Sequence, residues 1–276
     1  ISTLYAALGR GEPAPLPDLP IQYADFAAWQ RSWLQGEVRD KMLSYWKEQL
    51  RDLPPLLELP TDRPRPAVMT SNGAYQTFQL PPEVSERIRS LGQTTGATLF
   101  MVLLAGFQTL LYRYTDEPHI GVGTPIANRN RAEVEDLIGF FVNTLVLCTD
   151  FSGEPSFREV LERVREVALG AYTHQDLPFD VLVDAIQPER NLSHSPLFQV
   201  MFALQNAPQR VQTLPDLTVR PVEAHSGTAK FDLTLFMMDE GERLSGALEY
   251  NTDLFSQETI SRLLRHFETL LEGVLT

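Results

Sequence analysis

Apolar residues recur along this chain at two periods, and the switches between them predict most of its elements. In "PEVSERIRSLGQ" the residues Val84, Ile88 and Leu91 fall three or four apart, on one face of a helix. "TLFMVLLAGFQTLLYRY" follows and is apolar nearly all round, which predicts a helix buried on every side. Period two marks the strands. "AYQTFQL" (74–80) is predicted as one, and "HIGVGTPIA" (119–127) and "GFFVNTLVLCTDF" (139–151) as buried ones. Further strands are expected at "FQVMFALQ", "LTVRP", "FDLTLFMM" and "RLSGALEY". The last sets Leu244, Leu248 and Tyr250 against Arg243, Ser245 and Glu249 on the other side.

Between these strands, Ser156 and Glu159 predict a capping box. The helix it opens carries Phe157, Val160, Leu161, Val164, Val167 and Tyr172 on one face. "PFDVLVDAI" predicts a short helix. A final one has the stripe Ile260, Leu263, Leu264, Phe267, Leu270, Leu271 and Val274. Two N-terminal helices, 23–35 and 41–50, hold Trp29, Trp33 and Trp46. "LPPLLELPTDRPRPAV" then reads as an extended connector, because proline neither continues a helix nor donates within a sheet. Strands mixed with helices and free of repeats predict an α/β or α+β layered fold. The organisation expected is a helical segment at 1–52, a proline-rich connector at 53–72 and a lobe at 73–276.

Composition narrows the function. A net charge of −13 over 276 residues argues against nucleic acid and against an anionic membrane surface. The longest apolar run is about half the length of a membrane span. One cysteine, Cys148, excludes an internal disulfide and fits a chain kept in the reducing cytoplasm. The chain begins at Ile1 without methionine, so it is expected to be a piece of something longer.

Chemistry-bearing residues are few. The five histidines are scattered, none in a metal-ligand spacing with another. No Gly-rich phosphate loop and no Gly-x-Ser-x-Gly elbow occurs, and Cys148 in its apolar strand reads as inert packing. "AYTHQDLPFD" is more suggestive. Asp176 could orient His174 for proton transfer, or Gln175, Asp176 and Pro178 simply end a helix whose negative end favours His174. Asn143 and Thr144 interrupt an apolar strand and need partners, from a ligand or from neighbouring backbone. "ANRNR" (127–131) offers arginines either to solvent or to a distant carboxylate.

Taken together, "YADFAAWQ", "IGFFVNTLVLCTD", "HQDLPFD" and "RNLSHSPLFQVMF" resemble four successive core motifs of nonribosomal peptide synthetase condensation domains, in order and in separation. The resemblance implies a chloramphenicol acetyltransferase-like fold, two α/β lobes in a V. It also implies amide bond formation between a donor acyl or peptidyl thioester and an aminoacyl acceptor. Both would ride on the phosphopantetheine of upstream and downstream peptidyl carrier proteins, with no cofactor of the domain's own. An adjacent adenylation domain is a further implied partner.

The family's signature, His-His-x-x-x-Asp-Gly, is absent, since no two histidines are adjacent. The chain therefore resembles the end of the first lobe, the connector and the whole second lobe. No catalytic residue is expected in it; the catalytic histidine would lie upstream of Ile1. By resemblance, Arg129 braces the active site by pairing with the signature aspartate. Asn143, Thr144 and Ser195 are tunnel-lining candidates, and His174, Gln175 and Asp176 form a structural motif of the second lobe. The stretch 231–250 is expected to include an arm crossing to the first lobe. Two rivals remain: a related epimerisation domain, and a catalytically empty lobe that docks carrier proteins.

Overall fold

The structure, a computed structural model, describes residues 2–13, 15–187, 191–205, 217 and 226–275. The chain opens with α1 (Ser2–Gly9), α2 (Tyr23–Trp33) and α3 (Gly36–Gln49). α1 was not foreseen; α2 and α3 match the two tryptophan-bearing helices. After the connector come β1 (Gly73–Gln79), α4 (Pro82–Thr95) and α5 (Leu99–Thr115). The middle of the chain forms β2 (His119–Ile126), the short α6 (Ala132–Glu135), β3 (Asn143–Asp150), α7 (Phe157–Thr173) and α8 (Phe179–Ile186). It closes with β4 (Val200–Gln205), β5 (Leu233–Asp239), β6 (Leu244–Asn251) and α9 (Gln257–Gly273).

Local signals account for the element ends. Thr98 accepts from the amide of Met101 at the start of α5. At α7 the Ser156 amide donates to Glu159 at 2.7 Å while the Glu159 amide donates back to Ser156 Oγ, the predicted capping box. The Ser156 side chain and amide hold the Glu159 carboxyl below its ordinary range. Gly96, with a φ of 67°, ends α4 in the left-handed conformation that favours glycine.

The six strands form one mixed sheet in the order β1-β6-β5-β4-β2-β3. β4 runs parallel to β5 and to β2; the other pairs are antiparallel. Register aligns the apolar faces: Leu235 opposes Leu248 and Leu233 opposes Tyr250, on the side covered by helices. α5 runs through the centre, with Val102, Leu103, Leu104, Ala105 and Phe107 fully buried. Phe107 sits 6.1 Å from both Phe202 of β4 and Phe267 of α9. Burying each such ring is worth about 1.5–3 kcal/mol. A Cβ added at Gly106 would stand 2.8 Å from Leu271 Cδ2, so α5 and α9 approach closely there.

The same core takes in Met42, Trp46 and Leu50 from around α3 and Leu57 and Leu59 from the connector. Phe231 to Tyr250, where a crossing arm was expected, instead lies within the lobe, its two strands β5 and β6 in the sheet. The strand expected at 139–151 starts only at Asn143, because β2, its partner, ends at Ile126. The "LTVRP" expectation falls largely outside the described residues. Among those residues no single helix is long and apolar enough to cross a membrane; α4 and α5 are bent by 108°, and α5 is core.

Candidate functional site

Three of the four motif stretches meet where β3 begins. α2 brings Phe26 into a small second core with Val134, Leu137 and Phe141, against which Ile21 and Trp29 pack. Tyr23 donates its hydroxyl to the Phe140 carbonyl at 3.0 Å and sets its ring edge-on to Phe141. A Cβ at Gly139 would come within 2.3 Å of the Tyr23 ring, so only glycine lets the loop pass. Phe141 turns inward at 3% exposure, while Ile138, Phe140 and Val142 face out at 94%, 79% and 52%. Behind the loop, Arg129 donates Nη1 to the carbonyls of Val134 and Glu135. Its guanidinium lies 4.2 Å over the Phe141 ring, and that of Arg131 lies 4.2 Å over Trp29. No carboxylate among the described residues pairs with Arg129.

Asn143 joins this loop to the "HQDLPFD" turn. Its Nδ2 donates to the carbonyls of Gln175 (2.9 Å) and Leu177 (2.8 Å), and its Oδ1 accepts from the amide of Phe179 (3.0 Å). That last amide is one of the free donors at the start of α8, so a strand residue caps a helix. Thr144, next along, lines a cleft of about 540 Å³ with Phe140, Asn143, Pro178, Phe179 and Asp180. Asn128 also lines it, held at a φ of 52° with its Oδ1 buried and without a partner among the described residues. Among the described residues no histidine lines the cleft.

His174 sits at the C-cap of α7. Its Nδ1 lies 2.8 Å from the Gly170 carbonyl, which requires that nitrogen to carry a proton and donate. The ring stacks on Tyr45 at 4.0 Å and 7°, and the His174 carbonyl accepts from Trp46 Nε1. Burial pushes the Tyr45 hydroxyl up to about 12. Asp176 turns to Asn130, accepting its side-chain amide at 3.0 Å. Cys148 is buried in β3, and burial raises its thiol to about 12.

Ser195 lies outside the cleft, its hydroxyl 3.8 Å from Met69 Sδ. Its carbonyl leads to a residue not singled out in the sequence. Gln199, 2% exposed, accepts from the Leu57 amide and donates to the carbonyls of Pro55 and Ser195. Asp232 was missed as well; it takes both arms of Arg65 at 3% side-chain exposure. The available signal was a polar residue second in each of the apolar runs "FQVMFALQ" and "FDLTLFMM", which demands a buried partner. Among the described residues no three His, Cys, Asp or Glu side chains cluster as a metal site. A larger groove of about 660 Å³ on the uncovered face of β1, β6 and β5 contains none of the sequence candidates.

The family model for the condensation domain matches residues 1–276. The chain is 52% identical over 277 residues to a linear gramicidin synthase polypeptide of Brevibacillus parabrevis, covering 100% of this chain and 4% of that protein. It is 45% identical over 276 residues to malpinin synthetase of Mortierella alpina, covering 100% and 4%. The chain thus spans about a twenty-fifth of the length of these relatives. Among solved structures, the X-domain from teicoplanin biosynthesis superposes with a TM-score of 0.88 at 26% identity, covering 99% of this chain and 64% of that one. Solved condensation domains share the architecture, which is the chloramphenicol acetyltransferase-like fold. With three of its four motif stretches meeting at one cleft and a family match along its whole length, the chain belongs to the condensation-domain family of nonribosomal peptide synthetases.

Proposed function

We propose that this chain forms the second lobe of a domain that makes peptide bonds between carrier-bound thioesters in nonribosomal peptide synthesis. The acceptor amine would attack the donor thioester carbon; the C–N bond forms, the C–S bond breaks, and the donor's pantetheine thiol leaves. The proton lost by the amine passes through a base to the departing sulfur. One observation carries this reading: three of the family's motif stretches meet at one cleft, tied together by Asn143, while the nearby His174 is fixed by Gly170 and Tyr45. By the family resemblance, the base is the signature histidine of the first lobe. The lobe's part is to shape one wall and align the two arms, and alignment is worth up to about 7–11 kcal/mol of barrier in favourable transfers.

Arg129 fits a bracing role in this scheme. Nη1 is engaged by two carbonyls, which leaves the N–H groups of Nε and Nη2 for the signature aspartate of the first lobe.

The test loads upstream and downstream carrier proteins and assays amide product, first with these 276 residues and then with the upstream segment restored. No product from the chain alone and turnover on restoration is the expected result. In the restored domain, Arg129→Ala should lower both turnover and melting temperature. His174→Asn, which keeps a polar side chain at the helix end, should retain turnover. Product from the 276 residues alone would sink the proposal. So would a loss of about a thousandfold in His174→Asn with folding intact, the scale of a removed general base.

A further inference from the structure

The proline-rich segment between α3 and β1 has the composition of a hinge but the bonding of a core element. Gln199 Oε1 accepts from the Leu57 amide at 2.8 Å, and Nε2 donates to Pro55 at 3.1 Å. Further along, Arg65 makes its two-armed contact with Asp232. Asp62 accepts from the Ser256 amide and the Thr259 hydroxyl at the head of α9. Asn251 donates to the Thr70 carbonyl. Every few residues the connector is fastened to a strand or helix of the lobe.

Upstream elements are fastened too. α3 donates Trp46 Nε1 to His174 and Gln49 Nε2 to the Cys148 carbonyl, and α2 is tied to the loop before β3 through Tyr23. The stretch before α2 differs. None of the described residues from 13 to 21 makes a hydrogen bond. Leu16 and Leu19 are 54% and 37% exposed, and Pro13, Pro15, Pro17 and Pro20 remove donors that could have tied it down.

We propose that the described residues from Ile21 onward move as one body, and that the joint to the first lobe lies at residues 15–20, not in the connector. Gln199 is the positioning residue that keeps the connector from becoming a second joint. The same amide also donates to the Ser195 carbonyl at 3.0 Å. It thereby couples the connector to a turn in which Leu197 is held at a φ of 65°, a conformation that costs a branched side chain energy. Where the connector goes, the Ser195 turn must follow. The existence of a first lobe rests on the function proposed above; the position of the joint is tested without any activity assay.

Hydrogen exchange on this chain is the test. The amides of Leu57, Asp62 and Met69 should exchange at least about a hundredfold more slowly than those of Leu16, Asp18 and Leu19. Gln199→Leu should speed Leu57 and Phe198 at least about tenfold while Phe236 and Leu248 in the sheet stay unchanged. Gln199→Glu keeps an acceptor for Leu57 but no donor for Ser195, so Leu57 should stay protected while Phe198 opens. Connector amides as fast as those of Leu16, Asp18 and Leu19 would overturn the proposal, as would Gln199→Leu with Leu57 unaltered. If Gln199→Leu fails to fold, the wild-type comparison decides on its own.

Discussion

Arg65→Ala should lower stability by about 3–5 kcal/mol, because it strands a buried charge. Asp232 is 3% exposed, and both of its oxygens are engaged by the Arg65 guanidinium, which is itself only 17% exposed. The pair's attraction roughly balances the cost of desolvating it; removing one partner leaves that cost uncompensated. For a domain of this size the melting temperature should fall on the order of 10 °C. Arg65→Lys should recover only part, since an ammonium lacks the planar fork. Adding Asp232→Asn to Arg65→Ala should recover more, by replacing the stranded charge with an amide. Thermal melts of the three variants beside the wild type decide it, and an Arg65→Ala that melts like the wild type refutes the claim.

Asn143→Ala should be the most damaging change at the cleft. It removes three hydrogen bonds at once, leaving two carbonyls and the first amide of α8 without their partner. Each unsatisfied buried group costs about 1–3 kcal/mol, and water entering the gap recovers part of that. The turn from Gln175 to Phe179 is then free to shift, and with it the wall formed by Pro178 and Phe179. In the restored domain turnover should fall about a hundredfold, the scale of a reactant misplaced by an ångström. The split between constants separates two roles. If Asn143 were instead a direct substrate contact, the variant would keep its melting temperature and raise KM alone.

Periodicity made most of the fold legible. α5 carries no polar face, and such a helix has nowhere to go but the centre; the alternation in β6 fixed which side meets the helices. The loop before β3 defeated the same reasoning. Residues 139–142 continue the apolar run of a buried strand, yet Phe141 packs on Phe26 and Val134 across the chain, and no strand among the described residues lies alongside. An apolar run carries no record of which backbone it pairs with. The site was legible as stretches and not as contacts. Asn143 stood out as a polar break in an apolar run, but that its partners are backbone atoms more than thirty residues away is a tertiary fact. Gln199 and Asp232 have partners 142 and 167 residues distant, beyond any local pattern.

The sheet order also bears on how the lobe is made in a cell. β1 lies at one edge and pairs only with β6, so Gly73 must wait for Asn251. At ribosomal rates of about 5–20 residues per second, that separation means roughly ten to forty seconds in which β1 has emerged without its neighbour. α9 arrives later still, bringing Phe267 to the ring of Phe107. Closing so long a loop is entropically slow. The nascent lobe therefore carries an unpaired strand and an unfinished core until translation of this stretch is nearly done, and a chaperone has that interval in which to hold it.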